Sequence, residues 1–397
     1  MEMVSKFNWD TFGHFRHFYL RGFSFGDRMI KGPCQVWIFV SFNTLFATGS
    51  LIFFLSAMLF GYMYLFPTYS PVINSYGISE SIVSNGTCNV LNGSWIQDES
   101  YPLYDASRCP FAEHGFNCLA NGRKDNGYAK WRWKPKNCDI QRFNARSILE
   151  KLRGKRVVFV GDSLSRTQWE SLICMLMTGV EDKRDVYEVN GQKITKQIRF
   201  LSVRFSSFNL NIDFYRSVFL VQPGPVPRHA PKRDTGGQGP SFLKYRGWYF
   251  QVGNSLKLGM PLTTAFGKAL DTWASWVETM VNSNRTSVFF RTFESSHWSG
   301  KHRNSCKVPK LPSSRSHGRD RSPISDVIIK VVKKMTVPVT VLHVTPMDAY
   351  RSDAHVGTWS DNPSVPDCSH WCLPGVPDTW NEILLLHLLS KNGVPLQ

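Results

Sequence analysis

The chain has 397 residues, room for one large domain or two smaller ones, and a formal charge of +17 at pH 7. On a cytosolic protein that charge would point to nucleic acid, but no basic-aromatic stripe of a known reader is present, and the topology argued next puts the body of the chain in a lumen. Nucleic acid is therefore excluded as a partner. What remains is attraction to an acidic polysaccharide or a plain spread of solvated Lys and Arg, two readings of equal weight.

Residues 1–35 read as a short cytosolic tail. From Pro33 to Ile78 there is no charged residue, and residues 36–66 are mostly apolar, longer than the ~20 residues that span a bilayer. The span starts too late for a cleaved signal peptide and ends in the aromatic edge Tyr62, Tyr64 and Phe66, so it reads as an uncleaved anchor, a single transmembrane helix. Lys6, Arg16, Arg21, Arg28 and Lys31 precede it, and no Lys or Arg follows until Arg108. The positive-inside rule then leaves the tail in the cytosol and the rest in the lumen, a type II arrangement. Residues 67–84, with Pro67, Pro71 and several serines, read as a stem. Residues 85–145 are rich in Cys, Gly, Asn and aromatics with few long apolar runs, so disulfides should hold them.

Of the nine cysteines, Cys34 lies at the membrane edge. The others are Cys88, Cys109, Cys118, Cys138, Cys174, Cys306, Cys368 and Cys372, an even set that fits a lumenal disulfide framework; the residues alone do not choose the pairing. No cluster completes a zinc site around Cys368 and Cys372, so no metal is expected. Asn85, Asn92 and Asn284 head glycosylation sequons that are usable only in a lumen.

The catalytic body, residues 146–397, begins near Ile148. Lys155-Arg156 and then Val157-Val158-Phe159-Val160 read as a buried parallel strand. Leu164 to Thr178 reads as a helix, with Leu164, Trp169, Leu172, Ile173 and Leu176 near helical spacing. Between them stands Gly161-Asp162-Ser163. Alone the triplet is equally a turn with a helix cap; at a strand-to-helix turn it presents the Ser163 hydroxyl at the carboxyl edge of a sheet, with its own N–H at a helix N-terminus suited to an oxyanion. Further along, two strands are expected within Ile198–Val221, a Pro-rich loop over Gln222–Lys232, a helix over Met260–Val281 and a strand over Ser287–Thr292. A helix over Ile324–Lys334, a strand over Val337–Val344 and a closing helix over Val376–Ser390 follow. Strand and helix alternation gives an α/β class with a mainly parallel sheet.

Asp367-Cys368-Ser369-His370 completes a set of groups for acyl chemistry. Residues i and i+3 of a turn lie on one side, so Asp367 can reach Nδ1–H of His370 and leave Nε2 for Ser163. Ser163 is then the nucleophile, His370 its base and Asp367 the group that orients the base. His297, His343 and His355 compete as bases, but neither His297 nor His355 has an aspartate three residues earlier.

At this point the chain resembles a known family. Gly161 to Leu172 (GDSLSRTQWESL) looks like the GDS block of the plant trichome-birefringence-like proteins, Asp367 to Gly375 (DCSHWCLPG) like their DxxH block, and Cys88 to Cys138 like their Cys-rich region. The resemblance covers most of residues 85–391. It implies an SGNH-like three-layer α/β/α domain behind a Cys-rich subdomain, and O-acetylation of a plant cell-wall polysaccharide of the xylan or pectin class in the Golgi membrane. No bound cofactor is implied; an acetyl donor, acetyl-CoA among the candidates, is a substrate. It also implies the pairs Cys88–Cys138, Cys109–Cys174, Cys118–Cys372 and Cys306–Cys368. Gly161, Asp162, Arg166, His297 and His355 are expected on the oxyanion and substrate-binding side. One feature departs from the family: its apolar strand followed by Asn-Thr-Gly-His-Trp-Trp is absent near 234–247, where this chain reads Asp234 to Phe242 as DTGGQGPSF. That segment is expected to supply a strand and oxyanion-side groups. Its loss makes reduced or absent activity an expectation, with a carbohydrate acetylesterase or an impaired polysaccharide-binding variant as the alternatives to a transferase.

Overall fold

In the computed structural model the Cys-rich region is built on two antiparallel strands, β1 (Gly93–Gln97) and β2 (Trp131–Pro135), joined by an edge-on contact between Trp95 and Trp133. The structure describes residues 89–218, 220, 249–252, 255–258, 261–299 and 305–390. The expected tail, membrane span and stem, the sequon at Asn85, Cys88 and Asp234–Phe242 lie outside these residues. Among the described residues no helix is long and apolar enough to cross a membrane. Apart from Ser255, the described residues belong to one unit, Ser79–Val252 with Leu256–Gln397.

A short helix α1 (Ala145–Lys151), capped by the Asn144 side chain, leads into β3 (Arg156–Gly161) and then α2 (Ser163–Met177). β4 (Val186–Glu188), β5 (Phe200–Phe205) and β6 (Leu210–Arg216) complete a four-stranded sheet in the order β3-β6-β5-β4. The sheet is mixed, which corrects the expectation of a mainly parallel one. Only β3 and β6 run parallel; β6 with β5 and β5 with β4 are antiparallel. The cause is local. A single helical turn, Ser206–Phe208, closed by Asn209 in the left-handed region at φ 49°, joins β5 directly to β6, and so short a link allows only an antiparallel pair.

One face of this sheet carries Phe159, Leu201, Val203, Phe205, Ile212 and Phe214, all buried, and packs on α2; Trp169 donates its indole N–H to the Ile212 carbonyl at 3.0 Å. The other face carries the Arg156–Asp213 ion pair, the Ser202–Asp213 hydrogen bond and Phe200 against Tyr215. Val158 and Val160 on that face are 42% and 40% exposed, so among the described residues helices cover one side only of this sheet.

After β7 (Tyr249–Val252) and β8 (Ser255–Leu258) come α3 (Leu262–Met280), β9 (Val288–Arg291), α4 (Pro323–Val332) and β10 (Val339–Leu342). β9 and β10 pair in parallel. Phe290 meets Trp273 of α3 edge-on, while its neighbour Arg291 turns the opposite way, its guanidinium over Trp380 of the last helix. Three layers therefore exist here, where β9 and β10 lie between helices. α5 (Thr345–Asp348), β11 (His355–Gly357), β12 (Asp367–Trp371) and α6 (Val376–Ser390) close the chain. α6 packs on α2 through a core that includes Leu172, Ile173, Trp380 and Ile383.

Disulfides Cys109–Cys174, Cys118–Cys372 and Cys306–Cys368 are present. Cys138 is disulfide-bonded too. The Cys-rich region is thus fastened covalently to α2 and to the residue after β12. Trp95 adds a bond from its indole N–H to the Met347 carbonyl at 2.8 Å.

Candidate active site

β3 delivers the chain to the site and α2 carries it away, so the turn between them is short. Gly161 is required by that approach: a Cβ there would fall 2.2 Å from Ser165 Oγ and 2.8 Å from Ser165 Cβ. Asp162 is the N-cap, its Oδ1 accepting the amides of Leu164 at 3.0 Å and Ser165 at 3.4 Å. Ser163 follows as the first helical residue, and its amide has no preceding helical carbonyl to bond.

Ser163 Oγ lies 2.7 Å from His370 Nε2, and His370 Nδ1 lies 2.6 Å from Asp367 Oδ2. A carboxylate only accepts, so Nδ1 carries the proton and Nε2 offers its lone pair to the serine hydroxyl. All three side chains are half-buried: held by neighbours, yet reachable. Asp367 reaches His370 by a different route from the turn the sequence suggested. Asp367–Trp371 is a strand, in which i and i+3 normally face apart. Its pairing with β11 is irregular, and Asp367 Oδ1 accepts the amides of Ser369 at 2.8 Å and His370 at 3.0 Å. That curls the strand back on the carboxylate. Burial alone would raise the Asp367 carboxyl; the hydrogen bond and charge of His370, with the two amides, outweigh it and hold the group well below the usual carboxylate range.

The surroundings of His370 are fixed from several sides. Cys368 and Cys372 flank it, each in a disulfide. The Phe116 ring lies 5.7 Å from its imidazole, and the Phe116 carbonyl accepts the Leu373 amide at 2.8 Å. Trp298 donates its indole N–H to Ser369 Oγ at 2.8 Å.

Arg166 does not face this site. It is buried, pairs with Glu113 and Glu170, and lies over the Phe116 ring. Two carboxyls compete for one guanidinium, and burial pushes the deeper one, Glu170, up to about 8. Arg166 therefore ties α2 to the Cys-rich region and to the phenylalanine beside His370. His297 and His355 are likewise buried, His355 on β11 where it pairs with Trp371 of β12, and His297 against it. The i, i+4 spacing of Arg166 and Glu170 could have signalled their pairing; nothing in the sequence near Arg166 announces Glu113, 53 residues earlier. Among the described residues no group of three or more His, Cys, Asp or Glu is arranged to hold a metal ion.

Residues 140–236 and 239–387 match the PC-Esterase family, described as a GDSL/SGNH-like acyl-esterase family found in Pmr5 and Cas1p; residues 86–139 match the PMR5 N-terminal domain. The chain is 55% identical over 380 residues to trichome birefringence-like 7 of Arabidopsis thaliana, covering 88% of this chain and 85% of that protein. It is 40% identical over 337 residues to trichome birefringence-like 6 (77% of this chain, 71% of that protein) and 38% identical over 343 residues to trichome birefringence (77% and 56%), both from the same plant.

Proposed function

The chain belongs to the trichome birefringence-like family, with its PC-esterase and PMR5 N-terminal domains, and on that premise we propose that it transfers acetyl groups to hydroxyls of a cell-wall polysaccharide. The observation that carries the reading is the unbroken chain of contacts from Ser163 through His370 to Asp367. Ser163 Oγ attacks the carbonyl carbon of an acetyl donor while His370 Nε2 takes the hydroxyl proton, and Asp367 balances the imidazolium. Collapse of the tetrahedral intermediate expels the donor's carrier group, which takes the proton from His370 and leaves acetyl-Ser163. A sugar hydroxyl then gives its proton to His370 and attacks the ester; a second collapse returns Ser163 and releases the acetylated sugar. The Ser163 amide, first in α2, stabilises the oxyanion in both halves.

The acceptor class is a xylan or a pectin, and the donor is acetyl-CoA or another lumenal carrier. The protein is a single-pass type II Golgi membrane protein whose catalytic body is lumenal. The Lys and Arg bias around residues 36–66, the disulfide framework, and the exposed sequon residues Asn92 and Asn284 support that placement. Two observations favour a second reading, in which water replaces the sugar and the protein is an acetylesterase or an impaired binder. The triad is open enough for water to reach it, and the family match breaks between residues 236 and 239, beside the absent segment. The test is to incubate the chain and its Ser163→Ala variant with acetyl-CoA and deacetylated xylan or pectin oligosaccharides, read by mass spectrometry. Acetyl gain that vanishes in the variant supports the transferase; acetate release without gain overturns it in favour of the esterase.

A further inference from the structure

His297 and His355 lie against β12, and their ring nitrogens are all engaged. His355 Nδ1 is 2.9 Å from the backbone carbonyl of His370, and His297 Nε2 is 3.0 Å from the carbonyl of Ala349. Carbonyl oxygens have no proton to give, so both of these nitrogens carry one. The two remaining nitrogens, His297 Nδ1 and His355 Nε2, are 2.7 Å apart. If both rings were neutral, each would have spent its single proton on a carbonyl. Two lone pairs would then face each other at hydrogen-bond distance in the interior.

We infer that His297 and His355 hold three ring protons between them, as one imidazole–imidazolium cation that positions the Asp367–His370 segment of β12. The backbone contacts show what the pair grips. His297 donates its amide to the Cys368 carbonyl at 3.0 Å, and His355 donates Nδ1–H to the His370 carbonyl, so two residues of β12 are held by the pair. The inference rests on the triad reading above and extends it by two positioning residues that never touch substrate.

Burial works against a charge here, pushing His297 down to about 4 and His355 well below its usual value. Three features oppose that cost. One charge is spread over two rings, and a charge-assisted hydrogen bond is about twice as strong as a neutral one. The Trp371 ring stacks on His355 with centroids 3.9 Å apart and planes at 22°, a cation–π arrangement. The carboxylates of Asp353 and Asp367 attract the pair, against repulsion from Arg319, His317 and His370. Arg123, which donates to the His355 carbonyl, and Arg351, which is bound to Asp353 by two hydrogen bonds, complete the charged surroundings.

The deciding experiment is NMR of the full wild-type chain labelled with 15N in its histidine rings, at neutral pH. The expected result is two rings joined by a scalar coupling through one proton, with three protonated nitrogens among the four. One proton per ring, with no coupling, would overturn the inference whether or not the chain transfers acetyl groups. A second arm follows the rate at which a fluorophosphonate probe labels Ser163, as a function of pH. His355→Phe, which removes both grip and charge, should slow labelling on the order of 100-fold, the scale of a small misplacement of a reacting group. His355→Asn, which retains a donor for the His370 carbonyl without the charge, should recover most of that rate. Its acid limb should move to higher pH, because a cation that opposed protonation nearby is gone. An unmoved acid limb with full recovery would reduce His355 to a neutral prop and overturn the inference.

Discussion

The two strands that meet at Ser163 are supported very differently. β12, which brings Asp367 and His370, is tied by Cys306–Cys368, by Cys118–Cys372, and by hydrogen bonds from His297 and His355. β3, which brings Ser163, has β6 on one side and, among the described residues, no strand on the other. β9 likewise pairs only with β10, although both strands lean on α2, β3 directly and β9 through the bond from Arg291 Nε to Gln168 Oε1 at 2.9 Å. The family match breaks between residues 236 and 239, in the region where the resemblance leads one to expect a further strand segment. The difference teaches that the triad's geometry comes from local ties and a capped helix, since among the described residues no continuous sheet joins β3 to β9.

The largest effect should come from the triad itself. Ser163→Ala should reduce acetyl transfer and fluorophosphonate labelling to background, a loss on the order of 10⁴- to 10⁶-fold; Asp367→Asn should cost roughly 10⁴-fold by leaving the imidazole in the wrong tautomer. Residual transfer within tenfold of wild type in Ser163→Ala would show that another group is the nucleophile. On the other side of the comparison, inserting an apolar strand with Asn-Thr-Gly-His-Trp-Trp after the Pro-rich loop should raise turnover about 100- to 1000-fold, the worth of one oxyanion donor. Equal turnover with and without the insert would show that the open edge costs nothing.

Covalent bracing comes next. Replacing Cys118 and Cys372 together by serine releases a link 254 residues long in sequence. Stability to denaturant should fall by about 2–5 kcal/mol, and labelling of Ser163 should slow as His370 loosens. Unchanged stability would mean that the hydrogen bonds around β12 suffice alone.

Much of this was legible beforehand, and the exceptions share a cause. Leu164, Trp169, Leu172 and Ile173 announced α2, and the closing helix runs over the same residues, Val376–Ser390, that the sequence predicts. Ser163, Asp367 and His370 were identified from two short motifs. Alternation in β5 and β6 marks strands but carries no information on direction, so the expectation of a mainly parallel sheet rests on the strand–helix alternation alone and misses this antiparallel pair. Asp367-Cys368-Ser369-His370-Trp371 has no alternation, so β12 looked like a turn. The burial of Arg166, His297 and His355 is not legible in the sequence because their partners, Glu113 for the arginine and the His370 and Ala349 carbonyls for the rings, lie at a distance along the chain.

A pH effect should follow from buried carboxyls that fold as acids. Burial pushes Glu170 from 4.5 up to about 8, and Asp348 from 3.8 up to about 7; Trp380 donates to Asp348 Oδ1 while Oδ2 has no partner among the described residues. Groups raised in the folded state contribute stability that is complete below their unfolded values and is lost as pH rises through 7 to 8. Asp367 has the opposite sign: its contribution is present above the ordinary value of 3.8 and is lost as pH falls below it. The denaturation midpoint should therefore be lower at about pH 8.5 than at about pH 5.5, and Glu170→Gln should flatten part of that slope. A midpoint that rises over this interval would contradict the assignment.

The smallest effect separates the two faces of β3. Phe159 points into the core, 9% exposed, whereas Val158 and Val160 point outward, where among the described residues no helix covers them. Phe159→Ala should cost about 3–5 kcal/mol, the usual loss for an aromatic removed from a packed interior. Val158→Thr and Val160→Thr each keep the β-branched shape and put a hydroxyl where water already reaches, so each should change stability by less than about 0.5 kcal/mol. Chemical denaturation of the three variants makes the comparison directly. A cost above about 2 kcal/mol for either valine would mean that the outer face is covered in solution, and the one-sided arrangement of helices on the β3-β6-β5-β4 sheet would have to be abandoned.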